Sequence, residues 1–417
     1  MPDILPSTVL RERDELPSSL LRASASRKPW VIVAGGFHWR GGIDRANAEF
    51  AFQLSRWGAS LHLVAYEVDD GIARRQNVHC HIVHRPYGSF LLGEVGLHRR
   101  GVTVARAVLR NHPEAHVLVN GGNCPWGDLN WMHSVHAAWH CCDRGAPLWF
   151  RLKNRLSKAL FLHWERCSVK KARIVIANSE RTRLQVIERY RIDSERVRTV
   201  YLGSDHEVSP VTLEQRQKAR ARFGIPEDQP VVLFLGALSY DNNKGIDTLL
   251  TAWRQLRDSH GWDAHLLVAG GGGAVRQWTN WCRDEGLTDS VLFLGFTNQV
   301  GECIAAADLL ISPVRYEAYG LNVQEAICRG IPAMVSKSAG IAERFPEELS
   351  DMLIEDPEDA AGIAKQLLAW RGQIRSWKLR IDRFRQELCG HSWQDMTERI
   401  VELVDSSRQH GEAAIRS

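Results

Sequence analysis

The sequence has no apolar run of the roughly 18 residues that a membrane-spanning helix requires. Its first 28 residues also lack the apolar core of a secretory signal. The net charge is only +4, which is too small for a protein that binds nucleic acid over its whole surface. We therefore expect a cytoplasmic protein with no nucleic-acid partner.

Cysteine pairs of the metal-binding or disulfide type are missing as well. The nine cysteines, which include the adjacent Cys141 and Cys142, form no CxxC motif, so we expect reduced thiols. One segment carries metal-binding residue types, but strand alternation places His79 and His81 on one face and Cys80 on the other. We therefore expect neither a metal ion nor another cofactor.

Short apolar runs alternate with helical segments in both halves of the 417-residue chain. Continuous apolar strands separated by helices are typical of parallel sheets covered on both faces. A chain of this length is expected to divide into two domains. We predict an α/β protein of two doubly wound, Rossmann-like domains. The runs are 30–36, 61–66, 81–86, 116–122 and 173–179, and then 231–238, 265–273, 291–296, 308–314 and 331–336.

The predicted domains span residues 29–207 and 208–385, because a polar helical run and a proline-rich stretch separate the two series of strands. An extension over residues 1–28 precedes them, and a helical segment over 386–417 follows. Ligands of open α/β sheets bind at the carboxyl ends of the strands. We expect two such edges to face each other across a cleft.

Residues 315–336, RYEAYGLNVQEAICRGIPAMVS, contain two glutamates that a single helix does not explain. Apolar residues recur at helical spacing only from Asn322 onward, which predicts a helix with Asn322 as its N-cap and Gly330 at its C-terminal end. Glu317 is therefore expected on the loop after a strand, and Glu325 on the first turn of the helix.

This position suits a phosphate group. The first amides of a helix lack intrahelical partners, so those near Gly320, Leu321 and Asn322 are expected to bind an anion. Glu317 and Glu325 flank these amides and would accept hydrogen bonds from hydroxyls on either side of the phosphate. A sugar nucleotide has this chemistry.

The first glycine-rich loop, AGGFHWRGGIDRAN, lacks the GxGxxG spacing of dinucleotide-binding proteins, so a nicotinamide enzyme is disfavoured. Gly41 and Gly42 precede a predicted helix. They either let the backbone approach a phosphate or sugar, or form a turn that packs the helix on its strand.

Lys244 follows the first strand of the second series and precedes a helix. A lysine at this position can neutralise a diphosphate, including the charge that develops as the diphosphate leaves. Alternatively, Lys244 is a solvated side chain.

The segment NGGNCPWGDLNWMHSVHAAWH contains Asp128, His133, His136 and His140. A histidine beside a cleft can orient or polarise an acceptor hydroxyl, so His133 and His136 are candidates for catalysis. Histidines in a domain core are the alternative.

Residues 150–173 carry eight Lys or Arg against one Glu, with an apolar stripe that includes Leu152 and Leu156. A basic amphipathic helix of this kind either lies on an anionic membrane surface or packs on its own domain with solvated charges. The first alternative would make the protein peripheral at the inner face of a membrane.

Together these segments resemble the group 1, or family 4, retaining glycosyltransferases of GT-B fold. Residues 315–336 resemble the family's E-x7-E signature, and the resemblance extends over about residues 30–370. The other segments that carry it are 41–67, 120–139, 174–183 and 293–314.

The resemblance implies roles for individual residues. Glu317 would contact hydroxyls of the transferred sugar, and Glu325 would hold the ribose of the nucleotide. The amides of Gly320 and Leu321 would bind the diphosphate together with Lys244. Asn322 would lie beside these amides, and Gly41 and Gly42 would line the cleft. His136 or His133 would match the family's active-site histidine.

The resemblance also implies transfer of a sugar from a nucleotide-diphosphate sugar to a hydroxyl of a glycan, a lipid-linked or a small-molecule acceptor, with retention of configuration. No DxD triplet occurs, so a metal-bound diphosphate is not indicated. Residues 386–417 resemble the family's terminal helix, which crosses back to the first domain. A GT-B-like epimerase or phosphorylase, or a non-catalytic sugar-nucleotide-binding protein, are the alternatives.

In one respect the sequence departs from the family. Members commonly place an arginine beside the lysine, but the corresponding positions here are Ala237 and Asn243. The cationic clamp on the diphosphate is therefore incomplete, and Arg315 is a candidate substitute nearby in the sequence.

Overall fold

The computed structural model describes residues 18–139, 146–205, 208–257, 259 and 262–416. Its first sheet has seven parallel strands in the order β5-β3-β1-β6-β7-β8-β9. These strands are β1 (Trp30–Val33), β3 (Leu61–Ala65), β5 (Val78–Ile82), β6 (His116–Asn120), β7 (Leu129–Met132), β8 (Ile174–Ala177) and β9 (Val197–Thr199). A two-stranded ribbon beside them pairs β2 (Gly36–Phe37) with β4 (Glu67–Val68).

The second sheet has six parallel strands in the order β12-β11-β10-β13-β14-β15. We call the parts of the chain built on the two sheets the first and second lobes. The strands of the second sheet are β10 (Val231–Leu235), β11 (His265–Ala269), β12 (Val291–Gly295), β13 (Leu309–Ser312), β14 (Ala333–Ser336) and β15 (Leu353–Ile354).

Helices connect most of the consecutive strands. The first lobe contains α1 (Ser18–Arg27), α2 (Gly42–Arg56), α3 (Asp70–Ala73), α4 (Phe90–Asn111), α5 (Leu148–Lys171) and α6 (Glu180–Tyr190). The helices that follow are α7 (Leu213–Phe223), α8 (Ile246–Arg257), α9 (Val275–Asp284), α10 (Val300–Ala306), α11 (Leu321–Cys328), α12 (Ala360–Arg371), α13 (Ile374–Arg380), α14 (Asp382–Cys389) and α15 (Trp393–Arg416).

The prediction of two doubly wound α/β units is confirmed. Both sheets are parallel throughout, and alternate residues of β1 enter different apolar cores: Trp30 and Ile32 one core, Val31 and Val33 another. Both faces of this strand are therefore covered, which explains why it reads as a continuous apolar run.

Five strands were not predicted, namely β7, β9 and β15 of the sheets and β2 and β4 of the ribbon, and β5 begins earlier than the predicted run at residue 81. The missed strands are two to four residues long, and β9 reads VRT, so neither length nor apolar character distinguishes them. Neighbouring strands in the sheet determine these elements more than their own sequence does.

The terminal helix α15 packs against α1 and α2 of the first lobe. Ion pairs join Arg22 to Glu398 and Lys28 to Asp405. The latter part of the expected N-terminal extension is thus a helix, because its apolar face, with Leu21 and Ala25 buried, covers α15 and α2. No helix in the described ranges is both long enough and apolar enough to cross a membrane.

The second lobe buries one complete guanidinium group. The side chain of Arg220 on α7 is fully buried, and it donates to the Asp308 carboxylate at 2.6 Å and to four backbone carbonyls. Asp308 also accepts a hydrogen bond from the amide of Val231, at the start of β10. This network joins α7 to the centre of the second sheet.

We predict that Arg220→Leu lowers the free energy of unfolding by about 3 kcal/mol, because it leaves buried carbonyls and part of a buried carboxylate without a donor. Urea unfolding measures this change. The exposed neighbour Arg222 provides the control, since Arg222→Leu should change stability by less than about 1 kcal/mol. Equal effects of the two substitutions would contradict the role of the buried network.

Candidate active site

Helix α11 begins two residues earlier than the sequence predicted. Its N-cap is Gly320, whose φ is +114° and where a Cβ atom would lie 2.8 Å from Cγ2 of Ile341. The prediction of Asn322 as the N-cap is therefore wrong. The Asn322 side chain instead donates to the carbonyl of Leu235 at 3.0 Å, which fastens the helix start to the end of β10. Glu325 consequently lies in the second turn, not the first.

The glycine pair of the first lobe, Gly41 and Gly42, lies opposite the start of α11. Helix α2 begins at Gly42, and its N-cap Gly41 has φ +74°. A Cβ atom on Gly42 would lie only 3.8 Å from the Cβ of Leu321, the first residue of α11. The starts of two helices, one from each lobe, are therefore adjacent across the cleft. The first amides of a helix lack intrahelical partners and carry a partial positive charge.

Lys244 and Glu317 form an ion pair beside this point. Their side chains retain 30% and 24% exposure, so neither lies in the packed interior. The preceding residue, Asn243, donates from its side chain to the carbonyl of Tyr316 at 2.9 Å and accepts from the amide of Arg315 at the same distance. The loop before Lys244, which we call the lysine loop, is thus bonded to the loop that carries residues 315–317, which we call the signature loop.

Arg315 does not replace the missing arginine of the clamp. Its guanidinium donates to both oxygens of Asp247, at 2.8 and 2.9 Å, and to Glu358 at 2.9 Å. It also donates to the carbonyl of Asn242 and the hydroxyl of Thr248. Through these five acceptor atoms, Arg315 stabilises the conformation of the lysine loop.

Glu325, the second glutamate of the signature, forms an ion pair across the cleft with Arg45 of α2. Arg45 also donates to both oxygens of Asp205 at 2.8 Å, on the segment that connects the lobes. Burial raises the pKa of Glu325 above its ordinary value, although the guanidinium of Arg45 opposes this effect. The Glu325 side chain nevertheless remains 23% exposed.

Of the two candidate histidines, His136 is the one whose ring is accessible and bonded to a carboxylate. Its Nδ1 contacts Glu165, and its backbone amide donates to the same carboxylate at 3.0 Å. The hydroxyl of Tyr190 donates to Glu165 as well. Burial lowers the pKa of His136, but the hydrogen bond and charge of Glu165, with the charge of Glu94, outweigh burial and raise it.

His133, the other candidate histidine, lies in the core. It directly follows β7 and packs on Trp131, with 4.3 Å between ring centroids. It is buried, and neither ring nitrogen has a hydrogen-bond partner among the described residues. Burial lowers its pKa to about 3, so this histidine stays neutral. His140 of the same segment lies outside the described residues.

Tyr316 connects the histidine segment to the signature loop. Its hydroxyl accepts a hydrogen bond of 2.7 Å from the amide of Val135, the residue before His136. Tyr316 itself directly precedes Glu317. The positions of His136 in the first lobe and Glu317 in the second are therefore coupled by one buried hydrogen bond.

Sequence reasoning missed two residues of this site, Arg45 and Glu165. Glu165 is the single acidic residue within the basic segment 150–173, and this is the sequence feature that could have identified it. Arg45 lies three residues after the glycine pair, but its partner Glu325 is 280 residues away along the chain.

The histidines of β5 stack on a histidine of β3. His79 and His81 both lie against His62 of β3, with ring centroids 4.8 and 5.4 Å away. Burial and the neighbouring rings lower the pKa of His62 to about 4. Across the described ranges, no group of three or more His, Cys, Asp or Glu residues is arranged to hold a metal ion.

The first half of α5 carries four exposed apolar side chains. Leu148, Trp149, Leu152 and Leu156 are 78%, 61%, 74% and 62% exposed, whereas burial is confined to Glu165, Ser168 and Val169 near the helix end. We call these four exposed residues the α5 apolar face. Trp149 and Phe150 also contact Tyr240 of the second lobe, so this face borders the mouth of the cleft.

We predict that Glu165→Gln lowers the pKa of His136, because the carboxylate that raises it is removed. A folded-state pKa above the ordinary 6.5 means that this pair contributes stability below about pH 6.5 and loses it as the pH rises through the folded-state value. NMR titration of the imidazole measures the pKa. The exposed Glu188→Gln is the control, and an unchanged pKa in Glu165→Gln would contradict the assignment.

Comparisons with known proteins agree with this architecture. Residues 40–208 match the family model "Glycosyltransferase Family 4", and residues 215–371 match "Glycosyl transferases group 1". An uncharacterized glycosyltransferase of Methanocaldococcus jannaschii is 28% identical over 203 residues, which are 47% of this chain and 51% of that protein. The chain thus spans about half the length of this curated relative.

Two solved structures share the fold over most of the chain. Sucrose-phosphate synthase from Thermosynechococcus elongatus superposes with a TM-score of 0.72 at 18% identity, covering 93% of this chain and all of that one. HepE from Anabaena, in complex with UDP-glucose, superposes with a TM-score of 0.66 at 16% identity and covers 91% and 99%. The chain belongs to the group 1, or family 4, glycosyltransferases and has their two-lobed GT-B fold.

Proposed function

We propose that the protein transfers a sugar from a nucleotide-diphosphate sugar to a hydroxyl acceptor, with retention of anomeric configuration. The observation that carries this proposal is the meeting of two helix N-termini, flanked by Glu317 and Glu325, at one cleft between the lobes. Convergent amides attract the diphosphate. Carboxylates on either side suit the hydroxyls of the sugar and the ribose.

Each predicted donor residue has a role in this proposal. The amides of Gly320 and Leu321 bind the diphosphate, and Asn322 holds their helix in place. Lys244 moves from Glu317 to the diphosphate, so that Glu317 accepts hydroxyls of the transferred sugar. Glu325 accepts the ribose hydroxyls.

The reaction follows from the same arrangement. The sugar–phosphate bond breaks while the helix amides and Lys244 stabilise the charge on the departing diphosphate. A diphosphate oxygen takes the proton of the acceptor hydroxyl, and the acceptor attacks from the face that the diphosphate leaves, which retains the configuration. No metal ion is required in this scheme, because amides and a cation already neutralise the diphosphate.

His136 is proposed to bind a hydroxyl at the reacting end of the donor or acceptor. Its Nδ1 is held by Glu165, so Nε2 is the nitrogen available to a substrate. The raised pKa favours the protonated ring, which donates a hydrogen bond. Gly41 and Gly42 allow the first lobe to approach the same substrate closely.

The donor class is supported by HepE, the structural neighbour that was solved with UDP-glucose. Because only the fold is shared at this identity, the base and the sugar remain outside the proposal. The acceptor is proposed to enter from the first lobe, at the carboxyl ends of its strands, and is a glycan, a lipid-linked or a small-molecule hydroxyl.

The donor assignment is tested by Glu325→Ala and a thermal-shift screen of nucleotide sugars. A ligand at 100 times its Kd adds about 2.7 kcal/mol to the stability of the folded state. We predict that the wild type shows a shift and that Glu325→Ala abolishes it. The unliganded melting temperature should change by no more than about 3 °C, because a partly exposed ion pair contributes little.

The exposed Glu302→Ala is the matched control and should retain the full shift. Unfolding of unliganded Glu325→Ala would show that this glutamate is structural. The protein is then incubated with acceptor sugars and the nucleotide sugar that raises its melting temperature. A glycosylated product identifies a transferase, and an isomerised donor identifies an epimerase. Donor binding with neither product nor hydrolysis would identify a binding protein.

We also propose that the α5 apolar face docks on an anionic membrane surface. On a helix of about 3.6 residues per turn its four side chains fall within an arc of about 100°. The exposed cations Lys153 and Arg155 border that arc on either side. This arrangement is typical of helices that lie in the headgroup region, and it would bring a lipid-linked acceptor to the mouth of the cleft.

For this surface we predict that the double variant Leu152→Glu/Leu156→Glu reduces binding to vesicles of phosphatidylglycerol and phosphatidylcholine by at least about tenfold, because apolar burial is lost. Co-sedimentation measures the bound fraction. Leu213 is 70% exposed elsewhere, so Leu213→Glu is a matched control that should bind like the wild type. A wild type that fails to sediment with anionic vesicles would refute the membrane proposal.

A further inference from the structure

Arg45 is surrounded by acidic partners from three parts of the chain. It contacts Glu325 on α11 and both oxygens of Asp205 on the connecting segment. Its Nε lies 3.8 Å from Glu49 on its own helix. The guanidinium also lies over the ring of Trp393 on α15, at 5.7 Å from the centroid. The two lobes and the returning helix therefore meet at this one side chain.

The position of Arg45 relates it directly to the proposed diphosphate site. Arg45 lies in the first turn of α2, which starts at Gly42, and Glu325 lies one turn inside α11, which starts at Leu321. These two helix starts are adjacent across the cleft. One helical turn rises about 5.4 Å, a distance that a long arginine side chain spans by rotation about its own bonds.

Three carboxylates lie near the proposed diphosphate site, so a second cation would favour binding of the anion. A diphosphate would enter beside Glu317, Glu325 and Asp205, while Lys244 is the one cation that the resemblance supplies. Arg315 is fully engaged by Asp247 and Glu358. The residue before Lys244, Asn243, carries no charge, and Arg45 brings a cation from the first lobe to the two helix starts.

We propose that Arg45 is a donor-binding residue that exchanges Glu325 for the diphosphate when the nucleotide binds. Ribose hydroxyls replace the guanidinium at Glu325, Nη2 stays on Asp205, and the released Nη1 donates to a phosphate oxygen. A guanidinium can do this because its planar fork of donors bridges two acceptors at once. The inference rests on the proposed donor class and adds the residue that completes the cationic clamp.

This exchange makes recognition depend on the phosphates. A nucleoside without phosphates must displace Arg45 from Glu325 and offers the guanidinium nothing in return. A nucleoside diphosphate offers a charge-assisted hydrogen bond instead. Removal of Arg45 is therefore expected to weaken diphosphate binding while leaving nucleoside binding unchanged or stronger.

Isothermal titration calorimetry tests the proposal with UDP, GDP and ADP, and with uridine, guanosine and adenosine. For whichever diphosphate binds the wild type, Arg45→Ala should weaken binding at least about tenfold, and Arg45→Lys by a smaller factor because it keeps the charge but not the fork. Affinity for the matching nucleoside should not fall. Arg56→Ala, at the far exposed end of α2, is the control and should bind like the wild type.

The outcomes separate this inference from the proposed function. If no nucleoside diphosphate binds the wild type, both fail. If the wild type binds but Arg45→Ala binds the diphosphate as well or better, Arg45 only latches the empty cleft and the inference alone fails. Equal losses of diphosphate and nucleoside affinity also overturn it. If Arg45→Ala unfolds, Arg45→Lys is measured instead. The loss of diphosphate affinity is then compared with the loss of nucleoside affinity in that variant.

Discussion

The cleft is organised by the approach of two positively charged helix ends. The starts of α2 and α11 lie so close that a Cβ on Gly42 would be 3.8 Å from that of Leu321. Without an anion between them, such ends repel each other and leave amides unsatisfied. Carboxylates in the turns behind them supply negative charge, and Glu325 holds Arg45 across the gap. The geometry of the whole site follows from this electrostatic balance.

The contacts between the lobes make this electrostatic balance sensitive to a ligand bound in the cleft. Tyr316 fixes the histidine loop to the signature loop, and Arg45 fixes α2 to α11 and to the connecting segment. Both contacts involve groups next to the proposed substrate, so a bound nucleotide sugar alters the forces that hold the lobes together. Closure around such a ligand would exclude water and favour transfer over hydrolysis.

The fold was predictable because its signal is local. Each long strand is an apolar run, and a run such as VVLFL needs cover on both faces wherever it lies. The association of Lys244 with Glu317 could also be anticipated, since both follow neighbouring parallel strands of one sheet, β10 and β13. Strand order in a doubly wound sheet brings such loops together.

The remaining details depend on contacts that sequence spacing does not carry. Asn322 has good N-cap chemistry, yet the helix starts two residues earlier, after Gly320, which has a positive φ and packs on Ile341. His133 and His136 differ in burial because the chain leaves the core between them, after a four-residue strand that the sequence did not predict. Arg45 and Glu165 act through partners on other elements.

The most direct measurement of the central claim is a crystal structure of the protein with the nucleoside diphosphate that binds it. The account predicts phosphate oxygens at the amides of Gly320 and Leu321, between the starts of α2 and α11, with the ribose on Glu325. A nucleotide bound elsewhere, or one bound with the Arg45–Glu325 pair intact and the facing helix ends empty, would contradict it.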